Sequence, residues 1–324
     1  MAKAPPREKD QLSSGDSKKD EARFPILSLD GGGAKGFYTL GVLREIEAMT
    51  GRLICETFRL IFGTSTGSII AALLALGHKV DDIHKLYCKH VPAIMRARTS
   101  SGKSAALAKL AHEVLGDTRF EAFKTGVGIV ATNWDNERPM IFKAEAAQAH
   151  GRRASFVPGF GVTIAEAVKA SCSAYPFFEK TELRTSRGDR VVLIDGGFCA
   201  NNPTLYAIAD AMDALGQPRT ALRVVSIGVG EYPPRKRLSS SLASMLVSVR
   251  LLQKTLEVNT ASMEQLRTLI YADVATVRIN DAFDQPELAT DMFEYDLDKL
   301  SLLRQRGAES FAARESALRE LLEA

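Results

Sequence analysis

Two residues in this chain of 324 stand where a side chain could do nucleophilic chemistry. Ser65 is the middle of Gly63-Thr64-Ser65-Thr66-Gly67, a G-x-S-x-G pattern. In that pattern small flanking residues allow a sharp strand-to-helix turn and leave the serine hydroxyl exposed. The start of the following helix would also favour negative charge developing beside it. Asp195 follows the apolar run Val191-Val192-Leu193-Ile194 and precedes Gly196 and Gly197. A carboxylate at the end of a buried strand, bared by two glycines, is a candidate general base; Asp-Gly is also a common turn dipeptide. The usual partner of a serine nucleophile is histidine. His78, His84, His90, His112 and His150 all fall in helical or loop stretches, and none has a strand-end position.

A third stretch, Asp30-Gly31-Gly32-Gly33-Ala34-Lys35-Gly36, admits three readings. Gly31, Gly33 and Gly36 fit the dinucleotide fingerprint, but the acidic residue expected after the next strand is missing. A phosphate-binding P-loop needs a longer spacing and a Lys followed by Ser or Thr, whereas Gly36 follows Lys35. The third reading is an oxyanion hole, in which backbone N–H groups of Gly31, Gly32 and Gly33 hold the oxygen of a tetrahedral intermediate formed at Ser65. Lys35, the one cation of the loop, is read as an outward, solvated side chain.

The elements that must position these residues can be read from apolar patterning. Phe24-Pro25-Ile26-Leu27-Ser28-Leu29 is a strand leading into the glycine loop and an amphipathic helix over 37–49. Residues 58–62 form the strand before Ser65 and 68–76 the apolar helix after it. The span 60–77 has no charged residue, but the Gly-Thr-Ser-Thr-Gly insert leaves an apolar helix too short to cross ~30 Å of hydrocarbon, so a buried core helix is expected. Residues 78–115 read as helical, interrupted at 96–104 by a basic stretch, either a solvated loop or a mobile flap over lipid phosphates. Strands at 127–132 and 139–143 suggest a hairpin. Thr163-Ile164-Ala165-Glu166 is a capping box opening a helix to about Ser173, and Asn201-Asn202-Pro203 opens another. Residues 222–227 make one more strand. Alternating strands and helices predict an α/β fold with a mostly parallel sheet and helices on both faces. Beyond Pro234 strand signals thin out, and long helices are expected over 239–272 and 297–322, the latter interrupted at Gly307.

Composition sets outer bounds. The chain is 45% apolar and 25% charged, which suits a globular protein with a large core. A net charge of +3 gives no field that argues for a nucleic acid polymer as partner. Cys55, Cys88, Cys172 and Cys199 lack zinc spacing and are expected as free thiols, and no metal or cofactor is expected. Residues 1–23 mix charges with Pro and Ser around no apolar core, and read as a disordered cytosolic tail rather than a signal or anchor.

Taken in order, the glycine loop, the serine pentapeptide, and Asp195-Gly196-Gly197 with Asn201-Asn202-Pro203 resemble the patatin-like phospholipases. Weaker matches are Gly116-Asp117-Thr118-Arg119-Phe120, the stretch Ala170-Ser171-Cys172-Ser173-Ala174 with Pro176 and Phe178, and Ser226-Ile227-Gly228-Val229-Gly230. The resemblance covers about 24–230. It implies a three-layer α/β/α fold over 24–324, with a motif core at 24–230 and a helical part at 235–324. It also implies a Ser65–Asp195 dyad, an oxyanion hole at Gly31–Gly33, and hydrolysis of lipid acyl esters without metal. Lys35, Gly63, Gly67, Gly196 and Gly197 would support the pair. The compact core and helical C-terminal part are similar to bacterial members that serve as effectors in cyclic-nucleotide antiphage signalling. That likeness implies a cyclic dinucleotide activator, transient contact with a phospholipid membrane surface, self-association into a homo-oligomer, and a cytoplasmic enzyme peripheral to the membrane when active. The alternatives are a general lipid esterase or thioesterase, and a non-catalytic Rossmann-like nucleotide-binding module.

Overall fold

The computed structural model describes residues 23–151, 153–234 and 243–323. Apart from Arg23, the expected tail lies outside the described residues, as do positions 239–242 of the expected long helix.

Eight strands form one sheet among the described residues. They are β1 (Phe24–Leu29), β2 (Leu60–Thr64), β3 (Gly126–Asn133), β4 (Arg138–Lys143), β5 (Thr181–Arg184), β6 (Arg190–Asp195), β7 (Leu222–Ile227) and β8 (Ala275–Ile279). Their order is β5-β6-β3-β2-β1-β7-β8, with β4 also on β3. Strands β3, β2, β1, β7 and β8 run parallel, while β4, β5 and β6 pair antiparallel. Side chains alternate between two cores, as strand geometry requires. Leu27, Leu29, Ile61, Val225 and Ile227 pack on one face, and Ile26, Leu60, Phe62 and Val224 on the other.

Helices cover both faces. The first set is α1 (Gly36–Thr50), α2 (Ile54–Thr57), α3 (Thr66–Ala75), α4 (Val80–Arg96), α5 (Ser100–Leu115) and α6 (Ile164–Ser171). Then follow α7 (Gly197–Ala200), α8 (Thr204–Ala209), α9 (Ala243–Ile270), α10 (Leu297–Ala312) and α11 (Glu315–Glu323). The larger core draws on α1, α3, α4, α5, α6 and α10; the smaller takes Ala200, Ala207 and Ile208 from α7 and α8. The hairpin β3–β4 and the Thr163 cap on α6 form as predicted, with Thr163 Oγ1 accepting the Glu166 N–H at 3.1 Å.

Three expectations need correction. The C-terminal part is not wholly helical: β8 adds to the sheet beside β7. Its sequence, Ala275-Thr276-Val277-Arg278-Ile279, has too little apolar contrast to announce a strand. The last long helix breaks at Ala313–Arg314 rather than at Gly307. Gly307 instead lets α10 lie against α1, since a Cβ there would meet the Tyr38 carbonyl at 2.1 Å. The basic stretch after Arg96 is a short connection, not a flap. Thr99 caps α5, and buried Lys103 donates to the Met95 carbonyl at 2.8 Å with its ammonium over the Phe293 ring.

Candidate active site

The sheet brings Ser65 and Asp195 together by an end-to-end meeting of strands. Strand β4 occupies one edge of β3, so β2 and β6 share the other. Strand β2 runs up that edge and stops at Thr64, opposite Val130. Strand β6 runs down it and stops at Asp195, opposite Ala131. The residues at the two ends are therefore neighbours, and Ser65 Oγ donates to Asp195 Oδ2 at 2.7 Å. Asp195 reaches the carboxyl edge of the parallel strands because β6 enters from outside that edge, not because it runs with them.

Ser65 has φ 52° and ψ −125°, a left-handed backbone that is unfavourable for a residue with a Cβ. The flanking glycines are needed for close approach rather than for φ. A Cβ on Gly63 would lie 2.3 Å from the Gly67 carbonyl, and one on Gly67 would lie 2.4 Å from that of Leu29. The turn is held from two sides. Ser65 N–H donates to Ser171 Oγ at 2.9 Å, and the Ser171 hydroxyl donates to the Val130 carbonyl at 2.6 Å. From α4, Tyr87 Oη donates to the Thr66 carbonyl at 2.9 Å. Ser171 was legible only as part of a weak motif; nothing in its spacing announces this bridge.

Asp195 is buried, and its other oxygen, Oδ1, accepts the Gly197 N–H at 2.7 Å. Burial raises its carboxyl from 3.8 to about 6, while the hydrogen bonds from Ser65 and Gly197 pull the other way. A carboxylate is ordinarily a weak base at neutral pH; here it is tuned close to that range. Gly196 allows the turn, since a Cβ on it would be 2.1 Å from the Val130 carbonyl. Cys172, buried against Ser68, has its thiol pushed well up by burial and stays protonated.

The glycine loop lies against the serine, with a Cβ on Gly31 only 3.2 Å from Ser65 Cβ. Its three expected donors are not equivalent. Gly31 N–H is taken by the Asn201 carbonyl at 3.0 Å, whereas those of Gly32 and Gly33 donate to nothing among the described residues. Asn201 ties this loop to α9, since its amide donates to Thr260 Oγ1 at 2.7 Å and to the Gly31 carbonyl at 3.3 Å. At the loop's head, the Asp30 carboxylate is gripped by the guanidinium of Arg278 on β8, with Nη1 to Oδ1 at 2.9 Å. Lys35 is buried, not outward, and faces a cleft beneath α9; burial lowers its ammonium, while Glu257 and Glu231 pull it back up. Beside Ser65 opens an apolar slot walled by Ile69, Ile94, Leu107, Phe178 and Phe293. Its free volume is about 40 Å³.

A strained serine hydroxyl on a tuned carboxylate, beside unspent N–H donors and an apolar slot, is equipped for acyl transfer. The family profile described as patatin-like phospholipase matches residues 27–208. The chain belongs to the patatin-like phospholipase family. It is thus an α/β carboxylic ester hydrolase, and the non-catalytic nucleotide-binding module loses its support. The chain is 59% identical over 298 residues to a cUMP-AMP-activated phospholipase of Escherichia coli, covering 92% of this chain and 93% of that one. It is 29% identical over 217 residues to a cGAMP-activated phospholipase of Pseudomonas aeruginosa, covering 63% and 62%. Among solved structures, VipD of Legionella pneumophila aligns over 93% of this chain and 67% of its own, with TM-score 0.48 and 14% identity. No helix among the described residues is long and apolar enough to cross a membrane.

Proposed function

We propose that this protein hydrolyses fatty-acyl esters of membrane phospholipids through Ser65 and Asp195, and that a cyclic dinucleotide switches it on. The observation that carries the chemistry is the 2.7 Å hydrogen bond from Ser65 Oγ to Asp195 Oδ2 on a left-handed elbow. Asp195 takes the hydroxyl proton as Oγ attacks the ester carbonyl. The oxyanion rests on the N–H groups of Gly32 and Gly33, with Gly31 as the frame that holds them against Ser65. Collapse expels the lysolipid alcohol with the proton from Asp195. Water, deprotonated by Asp195, then releases the fatty acid and restores Ser65. Residues 24–324 act as one catalytic unit, because the loop that frames the oxyanion is held by α9 and β8.

Two observations support a switch. Both relatives carry cyclic-nucleotide activation in their names. The slot at Ser65, about 40 Å³, is far below the ~300–1,000 Å³ usual for small-molecule sites and must widen to take an acyl chain. Membrane contact is supported by exposed Trp134 and Tyr175 flanking Lys180, since aromatic rings beside a cation suit the headgroup region. Self-association is supported by α9, which exposes Val247, Leu251, Val258 and Leu269.

The test is release of fatty acid from phospholipid vesicles by wild type, Ser65→Ala and Asp195→Asn, with and without cyclic UMP–AMP. Hydrolysis that needs the nucleotide and vanishes in both variants is expected. Full activity without nucleotide would remove the switch, and an active Asp195→Asn would remove the dyad.

A further inference from the structure

Two larger clefts open among the described residues, and their charges differ in sign. The cleft beneath α9, about 270 Å³, is lined by four carboxylates, Asp30, Glu231, Glu257 and Glu264, against the cations Lys35 and Arg278. An anionic ligand would be repelled there. The other, about 520 Å³, lies between β4, the β5–β6 turn and residues 148–150 and 155–160. Its lining carries Arg138, Lys143 and Arg187 with the imidazole of His150, against Asp189 alone. Lys143 and His150 are engaged by buried Asp210. Arg138 has no carboxylate partner among the described residues, and Arg187 commits one guanidinium N–H to the Ser155 carbonyl at 2.9 Å. Two guanidinium groups are therefore available to phosphate. Phe156 and Phe160 line the same cleft, with Phe160 40% exposed. The volume falls within the ~300–1,000 Å³ range of small-molecule sites, unlike the other two cavities.

Backbone strain marks the same place. Four non-glycine residues have positive φ among the described residues: Ser65, Glu137, His150 and Phe160. The first is the proposed nucleophile. His150 and Phe160 line the cleft, and Glu137 sits between Asn136 and Arg138, which also line it. Such conformations persist only where their surroundings hold them, and they gather at functional sites.

The cleft is also connected to the catalytic pair. Val191 forms part of its wall and lies on β6, four residues and ~13 Å along the strand from Asp195. Asn133, another wall residue, pairs with Leu193, and the Trp134 N–H donates to the Val192 carbonyl at 2.8 Å. A ligand that moves the β5–β6 turn moves the strand that ends in the base.

Resting on the reading of nucleotide control above, we propose that this cleft is where the cyclic dinucleotide binds. Arg138 and Arg187 take its two phosphodiesters, and Phe156 and Phe160 offer faces for its bases. The ligand acts on Ser65 through β6, from a site separate from the acyl slot.

Calorimetric titration of cyclic UMP–AMP into wild type, Arg138→Ala, Arg187→Ala, the double variant and Gln253→Ala tests this. Vesicle hydrolysis is followed in parallel, and melting without ligand checks that each variant folds. Each arginine variant should bind roughly 10-fold more weakly and the double variant roughly 100-fold, with matching shifts in the activating concentration. Gln253→Ala, in the α9 cleft, should match wild type. Labelling of Ser65 by a fluorophosphonate without nucleotide should be equal in all five proteins. If wild type is activated and the double variant responds at the same concentration, the site lies elsewhere and nucleotide control stands. Wild type that binds no cyclic dinucleotide overturns both. Binding of glycerophosphoglycerol in its place would make the cleft a headgroup site and overturn the proposal.

Discussion

The Ser171 hydroxyl stands between Ser65 and the sheet, accepting the Ser65 N–H at 2.9 Å and donating to the Val130 carbonyl at 2.6 Å. It is fully buried, so no water can replace it cheaply. Ser171→Ala should leave one donor and one acceptor without a partner, costing about 1–3 kcal/mol in stability. It should also loosen the left-handed turn and lower kcat by roughly 10-fold, with KM little changed. Thermal unfolding and steady-state kinetics on a short-chain ester check both halves. An unaltered kcat would mean that the turn is held without Ser171.

The carboxyl of Asp195, raised by burial to about 6, must be ionised to accept a proton. The ratio kcat/KM should therefore rise with pH through an apparent pKa of about 6 and level off above it. A midpoint below about 4.5 would point to an ordinary, solvated carboxylate. Stability moves in the opposite direction. The folded chain holds this proton more tightly than the unfolded one, so the group's stabilising contribution is full below its ordinary 3.8 and is lost as pH rises through about 6. Asp195→Asn, uncharged throughout, should gain on the order of 3 kcal/mol at neutral pH while losing ~10³-fold or more in turnover. Denaturant titrations of both proteins at several pH values read the gain directly.

Gly31→Ala should lower turnover by ~10²-fold or more, the scale of a displaced oxyanion donor. Its added Cβ would lie 2.4 Å from Asn201 Oδ1 and 3.2 Å from Ser65 Cβ. Gly33→Ala should act similarly, because Gly33 has φ +60° and a Cβ there would meet the Met292 carbonyl at 2.4 Å. Substrate affinity should change less in both, and wild-type kcat in either would separate the loop from the chemistry.

Trp134→Ala should weaken hydrolysis of vesicles several-fold while leaving that of a dispersed short-chain ester unchanged. Its ring is exposed and carries the Lys180 ammonium 3.6 Å from its centroid, a pairing that suits lipid headgroups. Equal loss on both substrates would assign Trp134 to the fold.

Much of this arrangement is legible in residue types. The serine elbow and the Thr163 cap each rest on local rules about turns and helix ends, and each forms where those rules put it. What stayed hidden depends on contacts between distant segments. Lys35 reads as solvated because a charge in a glycine loop usually is; it is buried instead, at a cleft whose other wall is α9, more than 200 residues later. Strand β5, Thr181-Glu182-Leu183-Arg184, alternates buried and exposed residues over too short a span to stand out, and β8 carries a half-buried arginine that reads as surface. The cleft behind β6 is assembled from turns whose charges are unremarkable one at a time.

The order in which these contacts become available during synthesis has its own consequence. Asp30, at the head of the glycine loop, is clasped by Arg278, which lies 248 residues further along the chain. A ribosome that has already made Ser65 and Asp195 has not yet made α9 or β8, so the loop beside the serine has neither the Thr260 tether nor the Arg278 clasp. An unfinished or prematurely ended chain of this design should therefore lack an ordered glycine loop beside its serine. A chain stopped after Gly230 would carry every recognisable motif, yet should not be labelled by a fluorophosphonate; labelling at the full-length rate would show that the late contacts are dispensable.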